Sequence, residues 1–193
     1  MSGASGGRAR FERFEPAVVA LVAVGALAVY LLAPTYPNYD SYYHLVWGRE
    51  LLHGHVPSFD AYAAPTQHPL LVALGGALSL LGTIGDRGLV AVTVASLVAT
   101  VWATYRLGAR VFGRWPGLAA AVFVGTSTSL LLYAARGYVD MPFLALVLWA
   151  AALEVRSPRR GRLVMALLAG AGLLRPEAWP LAAAYWLWCR AGA

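Results

Sequence analysis

Seven apolar runs without a single charged residue occupy most of this chain and restrict what it can fold into. They span residues 17–33, 69–85, 88–105, 115–135, 141–153, 163–174 and 178–189. Hydrophobic residues make up 60% of the sequence and charged residues only 12%, about half the charged share of a typical soluble domain. Because backbone groups inside a bilayer must be paired within helices or closed barrels, and these runs exceed the length of barrel strands, we predict an all-α polytopic membrane bundle.

The arginines lie in clusters between the runs, and they predict the topology. The net charge is +6, and since no basic groove interleaved with aromatic residues is visible, we interpret it as a topology signal rather than as nucleic-acid binding. The clusters are Arg8, Arg10 and Arg13; Arg106, Arg110 and Arg114; and Arg156, Arg159, Arg160 and Arg162. All three are expected to be cytoplasmic. The polar residues 1–16 are expected to be a disordered cytoplasmic N-terminus, and the first run a retained signal-anchor.

Between the first two clusters the chain must cross the membrane an even number of times, yet three runs lie there. Residues 69–85 are the run that we expect not to cross, because they begin with proline and contain Gly75-Gly76. Residues 17–193 then form one transmembrane domain of about six spans. Residues 34–87 form a first external loop with juxtamembrane helices, and residues 136–140 form a second. We therefore expect a multi-pass plasma-membrane protein with a cytoplasmic N-terminus.

Two carboxylates fall on the external side in this topology, Asp40 and Asp140. Ionisable groups at membrane depth are costly and usually functional. A structural role competes with this interpretation, since Asp40 could be the N-cap of a helix over residues 42–53 and Asp140 the N-cap of a helix that begins near Pro142.

The helix that follows Asp40 has two faces. Tyr43, Trp47 and Leu51 share one stripe, which we expect to lie on the lipid interface, while the side chains of Asp40 and His44 point towards a site. A plain aromatic anchor is the competing interpretation of the stripe. The histidines all lie in the first external loop, and their spacing matches no tight metal-ligand motif. The single cysteine, Cys189, excludes an intramolecular disulfide and a multi-cysteine metal site.

Several short motifs follow one another in an order that resembles a known enzyme family. They are Asp40-x-x-Tyr43-His44, GRELLHG at residues 48–54, His68-Pro69-Leu70, Arg136-x-x-x-Asp140-x-Pro142 and GLLRP at residues 172–176. Together they resemble the GT-C superfamily of membrane glycosyltransferases. The first motif is similar to oligosaccharyltransferase catalytic subunits, and the later ones are similar to the protein mannosyltransferase and aminoarabinose transferase branch.

The resemblance implies transfer of a sugar from a polyprenyl-phosphate donor to a glycan, lipid or protein acceptor on the outer face of the membrane. Asp40 would be the general base or would orient the acceptor. Arg175, or Arg136 in second place, would offset the charge of the phosphate leaving group. Asp140 would position a substrate, or would bind Mg²⁺ or Mn²⁺ together with Asp40. The oligosaccharyltransferase branch usually carries a paired acid on the second loop, whereas this chain has a single Asp140, which leaves metal dependence open.

The same resemblance makes further side chains candidates for substrate binding. They are Tyr43, His44, His68, Arg136, Arg175 and Glu177. Since GT-C enzymes are generally much longer, we expect the chain to hold the N-terminal membrane module of such an enzyme. The alternative is a non-enzymatic membrane protein, such as an incomplete module, a binder of lipid-linked sugars, an assembly partner or a small transporter. The absence of a visible internal repeat disfavours a transporter.

Overall fold

A computed structural model describes residues 19–58, 60, 62–159 and 161–191 of the chain. Within these residues the secondary structure is helical, without strands, and the predicted all-α fold is confirmed. The helices are α1 Val19–Leu32, α2 Tyr39–Leu52, α3 Pro69–Ser79, α4 Gly85–Val111, α5 Arg114–Gly125, α6 Thr128–Ala135, α7 Asp140–Arg156, α8 Arg162–Leu174 and α9 Ala178–Arg190. Residues 1–16, expected to be disordered and cytoplasmic, lie outside the described residues.

The apolar run over residues 115–135 is broken, although it was expected to form one uninterrupted crossing. Helices α5 and α6 meet there at an angle of 54°. The break falls in the polar sequence Thr126-Ser127-Thr128, where the hydroxyl of Thr126 donates to the Val122 carbonyl at 2.8 Å. Hydroxyl groups that bond to nearby backbone in this way compete with the helical pattern and bend helices.

By length and composition, the described residues contain one helix that could span a membrane, Gly82–Val111, which includes the short 3-10 turn before α4. A second appears if the bent pair of α5 and α6 is counted as one span. Helices α1, α3 and α8 are apolar but shorter within the described residues. The prediction of about six spans therefore stays a prediction.

Helix α4 is the centre of the bundle, and α5 and α7 pack along it. Val90, Val94, Leu97 and Val101 of α4 are buried in one apolar cluster together with Met141 of α7. Further along, the Trp149 indole of α7 donates to the Ala99 carbonyl of α4 at 3.0 Å. These contacts set α7 parallel to α4, with Met141 beside Val90 and Val94 and Trp149 beside Ala99.

The bundle has two chemically different ends. Thr93 of α4 donates to the Ala134 carbonyl at 2.6 Å, so this part of α4 lies beside the α6–α7 turn. From Thr93, helix α4 continues for about 20 Å to Arg106, and α7 runs about 25 Å from Asp140 to Arg156. Arg106 and Arg110 of α4 and Arg156 of α7 therefore lie at the end of the bundle away from Asp140.

Helices α2 and α3 cross in unusually close contact. A Cβ atom at Gly48 would lie 2.2 Å from the backbone nitrogen of Gly76, and one at Gly75 would lie 2.3 Å from the carbonyl oxygen of His44. Only glycine fits at these positions. The Gly75-Gly76 pair is thus the contact that holds α3 against α2 and sets the position of His44.

Candidate functional site

Four chain segments meet at the end of the bundle away from Arg106 and Arg156 and enclose a cleft of about 340 Å³. The segments are the start of α2, the loop before α3, the α6–α7 turn and the α8–α9 turn. We call it the acidic cleft. Six of the eight site residues predicted from the sequence line it, namely Asp40, His44, His68, Asp140, Arg175 and Glu177.

The first wall of the acidic cleft is positioned by hydrogen bonds that join α2 to the α6–α7 turn. The Asn38 side chain accepts from the backbone N–H of Ser41 at 2.8 Å and is the N-cap of α2. The Asn38 N–H donates to the Arg136 carbonyl at 2.7 Å, and the Ser41 hydroxyl donates to the Gly137 carbonyl at 2.6 Å. Gly137 has a φ of +71°, a conformation that favours glycine.

These contacts correct the predicted helix start. The sequence left open that Asp40 is the N-cap of a helix over residues 42–53, but the helix begins at Tyr39 and Asn38 caps it. Asp40 lies in the first turn of α2. The positive end of the helix dipole stabilises a negative charge at this position. Among the described residues, no hydrogen bond or ion pair engages its carboxylate, which is free to meet a ligand.

Asp140 differs from Asp40 because its carboxylate is already paired. Arg175 donates from Nη1 to Asp140 and from Nη2 to Glu177, the latter at 2.9 Å. The alternative N-cap role of Asp140 is not seen, since Val139 holds the cap position and Asp140 is the first residue of α7, without a side-chain cap bond. The three residues therefore form a charge network between the start of α7 and the α8–α9 turn.

The network changes what Arg175 can do. The hydrogen bond with the Glu177 side chain is the largest of the effects that raise the pKa of Arg175 above its usual value. The charge of Asp140 raises this pKa as well. Arg175 also lowers the pKa of Glu177 by hydrogen bonding. The charge of Arg175 is thus compensated within the protein, although a guanidinium has more N–H donors than these two carboxylates use.

His44 and His68 form the floor of the acidic cleft. Their rings stack with centroids 5.1 Å apart, and His44 is 1% exposed. Neither ring nitrogen of His44 makes a hydrogen bond to another described residue. Burial, and after it the neighbouring His68, lower the pKa of His44 to about 4, against the opposing effect of the nearby backbone carbonyls of Asp40 and Thr66 and of the Asp40 charge. Burial also lowers the pKa of His68, so both imidazoles are neutral at pH 7.

Tyr43 and Arg136, the other two predicted site residues, do not line the acidic cleft. Tyr43 packs between Tyr39 and Trp47 on the neighbouring face of α2, with ring centroids 4.9 and 5.3 Å away. The Arg136 guanidinium lies over the Tyr36 ring, 3.9 Å from its centroid. Both side chains lie beside the acidic cleft and are not among the residues that line it.

Trp47 contradicts the predicted lipid-facing stripe. It is 1% exposed, and its indole donates to the Ser58 carbonyl at 2.9 Å. The exposed aromatic side chains near it are Tyr36, Tyr39 and Tyr42 instead. The reason is the close α2–α3 crossing, which turns the Trp47 face of α2 towards the loop before α3.

Sequence reasoning missed other residues that line the acidic cleft. They are Asn38, Ser41, Thr66, Tyr138, Val139 and Pro176. Asn38 carried a usable signal, because an asparagine just before a helical segment is a common N-cap. Tyr138 stacks on Tyr133 with centroids 4.6 Å apart, a contact that sequence spacing did not indicate.

The possible divalent cation can be tested against this geometry. In the part of the chain that the structure describes, no group of three or more histidine, cysteine or acidic side chains is placed to hold a metal ion. A cation shared by Asp40 and Asp140 would compete with Arg175 for the Asp140 carboxylate. The donor set at hand thus fits Mg²⁺ or Mn²⁺ poorly while the ion pair is made.

Comparisons of the chain with protein-family models, with curated protein sequences and with solved structures each found no match. The functional assignment therefore depends on the motifs in the sequence and on the geometry of the acidic cleft.

Proposed function

We propose that this chain is an integral-membrane glycosyltransferase module that moves a sugar from a polyprenyl-phosphate carrier to an acceptor at the outer face of the membrane. The observation that supports this most is the acidic cleft itself. Six candidate residues, chosen from sequence motifs spread between positions 40 and 177, line one cavity at one end of the bundle.

The chemistry assigned to Asp40 follows from the lack of a described hydrogen-bond or ion-pair partner for its carboxylate. An acceptor hydroxyl is a poor nucleophile, and a carboxylate within hydrogen-bond reach can take its proton as the bond between the sugar C1 and the phosphate oxygen breaks. Asp40 is the cleft carboxylate without a described partner, whereas Asp140 is held by Arg175. The general base is therefore Asp40, and Asp140 is a positioning residue for Arg175.

The phosphate leaving group needs hydrogen-bond donors to stabilise its charge. Arg175 is the arginine that lines the acidic cleft among the described residues. Its N–H groups that are not used by Asp140 and Glu177 are the donors assigned to a phosphate oxygen. Arg136, packed on Tyr36, is not assigned this role.

The proposed membrane topology is the polytopic arrangement with about six spans and a cytoplasmic N-terminus. Its support is the separation of charge along the bundle, because Arg106 and Arg156 lie at the end away from the acidic cleft. The positive-inside rule places such arginines in the cytoplasm, so the cleft faces outwards. The exposed tyrosines beside the cleft suit the membrane–water interface.

The experiment is sugar transfer in membranes that hold the full chain, with a panel of labelled polyprenyl-phosphate sugars. Asp40→Asn should abolish transfer without loss of insertion or folding. Asp86→Asn is the matched control, since Asp86 lies in the same external region outside the acidic cleft. Transfer at the normal rate by Asp40→Asn would exclude Asp40 as the base. Lack of transfer from every donor by folded wild-type protein would favour a binding protein.

A further inference from the structure

The end of the bundle away from the acidic cleft carries a large excess of positive charge. Its arginines lie at the ends of α4, α7 and α9, at the starts of α5 and α8, and in the α7–α8 turn. Among the described residues, this end holds seven arginines and one carboxylate, Glu154, which gives it a formal charge of +6. The positive-inside rule requires only that such charges stay in the cytoplasm, whereas several of these side chains also have a defined arrangement.

Three of these arginines lie over indole rings that are themselves 47–66% exposed. Tryptophan prefers the headgroup level of a bilayer, and attraction to the ring face holds a cation at the same depth. We call these three pairs the basic rim. They are Arg114 over Trp115, Arg159 over Trp188 and Arg190 over Trp186, with 4.6, 4.9 and 4.4 Å between the guanidinium carbon and the ring centroid.

The α7–α8 turn holds the Arg159 pair in place. Arg159 has a φ of +60°, a conformation that is sparsely populated for residues other than glycine. The Glu154 carboxylate accepts from the Arg159 backbone N–H at 2.6 Å and from the Trp188 indole at 3.1 Å. The Tyr185 hydroxyl donates to Glu154 and accepts from the Gly161 N–H, both at 2.9 Å. Because strained backbone persists only where its surroundings fix it, Arg159 is positioned on Trp188 before any ligand binds.

The basic rim extends over both flanks of the bundle. The helices pack in the order α5, α4, α7, α8 and α9. Arg114 begins α5 at one end of this row, and Arg190 ends α9 at the other. A nucleic-acid strand or a folded partner would contact one continuous face, whereas lipid surrounds a membrane bundle on all sides. The distribution of the pairs therefore favours lipid headgroups as the partner.

We propose that the basic rim binds the phosphate groups of anionic phospholipids, such as phosphatidylglycerol, in the leaflet away from the acidic cleft. Guanidinium groups donate charge-assisted hydrogen bonds to phosphate, and the exposed indoles contact the lipid beside them. The excess positive charge favours a lipid with a net negative charge over a zwitterionic one, whose own cation lies at the same depth. The inference goes beyond the proposed sugar transfer and uses the proposed membrane topology only to name the leaflet.

The test measures tryptophan fluorescence of the purified full chain in nanodiscs of phosphatidylcholine. Phosphatidylglycerol or phosphatidylcholine with brominated acyl chains replaces an equal share of the bilayer and quenches the indoles that it contacts. Brominated phosphatidylglycerol should quench more strongly at low salt. Arg159→Gln and Arg190→Gln should each lower this preference about fivefold, the usual effect of one arginine near an anionic surface. Arg159→Lys should retain most of it, because the charge remains.

Arg49→Gln is the matched control, since it removes the same charge from an exposed arginine of α2 outside the basic rim. Unfolding curves in detergent show that each variant is folded.

Equal quenching of the wild-type protein by the two lipids would overturn the inference. An equal loss of preference in Arg49→Gln and Arg190→Gln would also overturn it, because net charge rather than the basic rim would then decide. Displacement of phosphatidylglycerol by excess inorganic phosphate or by a short RNA would replace the lipid with a soluble anion. The readout is independent of sugar transfer. A phosphatidylglycerol preference without transfer from any donor would retain the lipid site and reject the glycosyltransferase, whereas transfer without the preference would do the reverse.

Discussion

Arg175 donates to the carboxylate of Asp140 and so joins the end of α8 to the start of α7, 35 positions earlier in the chain. The same guanidinium reaches Glu177 on its other side. This arrangement leaves Asp40 as the acid in the cleft that is available to a substrate. It also makes the pair a structural link whose loss can be measured.

Breaking the link should destabilise the protein. The Asp140 and Arg175 side chains are 26% and 33% exposed, between the cases of surface and buried pairs, so Asp140→Asn should cost about 1–2 kcal/mol. Thermal unfolding of Asp140→Asn, Arg175→Gln and the double variant would give the coupling. Glu177→Gln is the control. Because the Glu177 side chain is 57% exposed, this variant should lose less free energy of unfolding than Asp140→Asn. Additive single effects would contradict a direct link.

The α2–α3 crossing should tolerate no side chain at its centre. Gly48→Ala or Gly75→Ala would place a methyl group within 2.4 Å of backbone atoms, and overpacking of this kind costs about 1–3 kcal/mol. Unfolding temperatures in detergent should fall for both variants. Gly25→Ala in α1, where a Cβ would contact nothing within 4 Å, should be neutral or slightly stabilising. Equal behaviour of the three variants would show that the helices do not cross this closely.

The buried histidines should make stability depend on pH. Since burial lowers the pKa of His44 to about 4 from 6.5, the unfolded chain binds more protons than the folded one between these values. Stability should therefore fall as pH falls through this window, by up to about 3 kcal/mol from His44, and level off below it. His68, whose pKa is also lowered, acts in the same direction.

His44→Gln should flatten this dependence, and unfolding temperatures between pH 7 and pH 4 would measure it. His55→Gln serves as the control because His55 is exposed outside the acidic cleft. A wild-type slope in His44→Gln would show that the His44 imidazole is not held neutral by burial.

The topology has its own test in cysteine labelling. In a chain that carries Cys189→Ala, Ser58→Cys in the first external loop should react with an impermeant thiol reagent added outside intact cells. Ser157→Cys, just after α7 at the arginine-rich end, should react only after the membrane is opened. The reverse pattern would place the acidic cleft in the cytoplasm and reject transfer at the outer face.

Element positions were largely predictable, because uncharged apolar runs translate directly into helices. Helix α3 begins at Pro69 and α9 at Ala178, where the corresponding runs begin. The differences from the predicted helix bounds arise where side chains form hydrogen bonds with the nearby backbone. The hydroxyl of Thr126 bends the run into α5 and α6. Asn38 rather than Asp40 caps α2 because Asn38 has an extended backbone just before the first helical residue, where its side-chain oxygen accepts from the Ser41 N–H.

The sequence by itself determined the helical class, the placement of the apolar segments and the identity of the residues that could carry chemistry. Those properties depend on composition and spacing within a few turns of chain. Only the tertiary structure decided that Asp140 is paired and Asp40 is free, that Trp47 is buried, and that Tyr43 and Arg136 lie outside the acidic cleft. The physical reason is that pairing and burial depend on side chains from distant segments, which the α2–α3 glycine contact and the α4–α7 packing bring together.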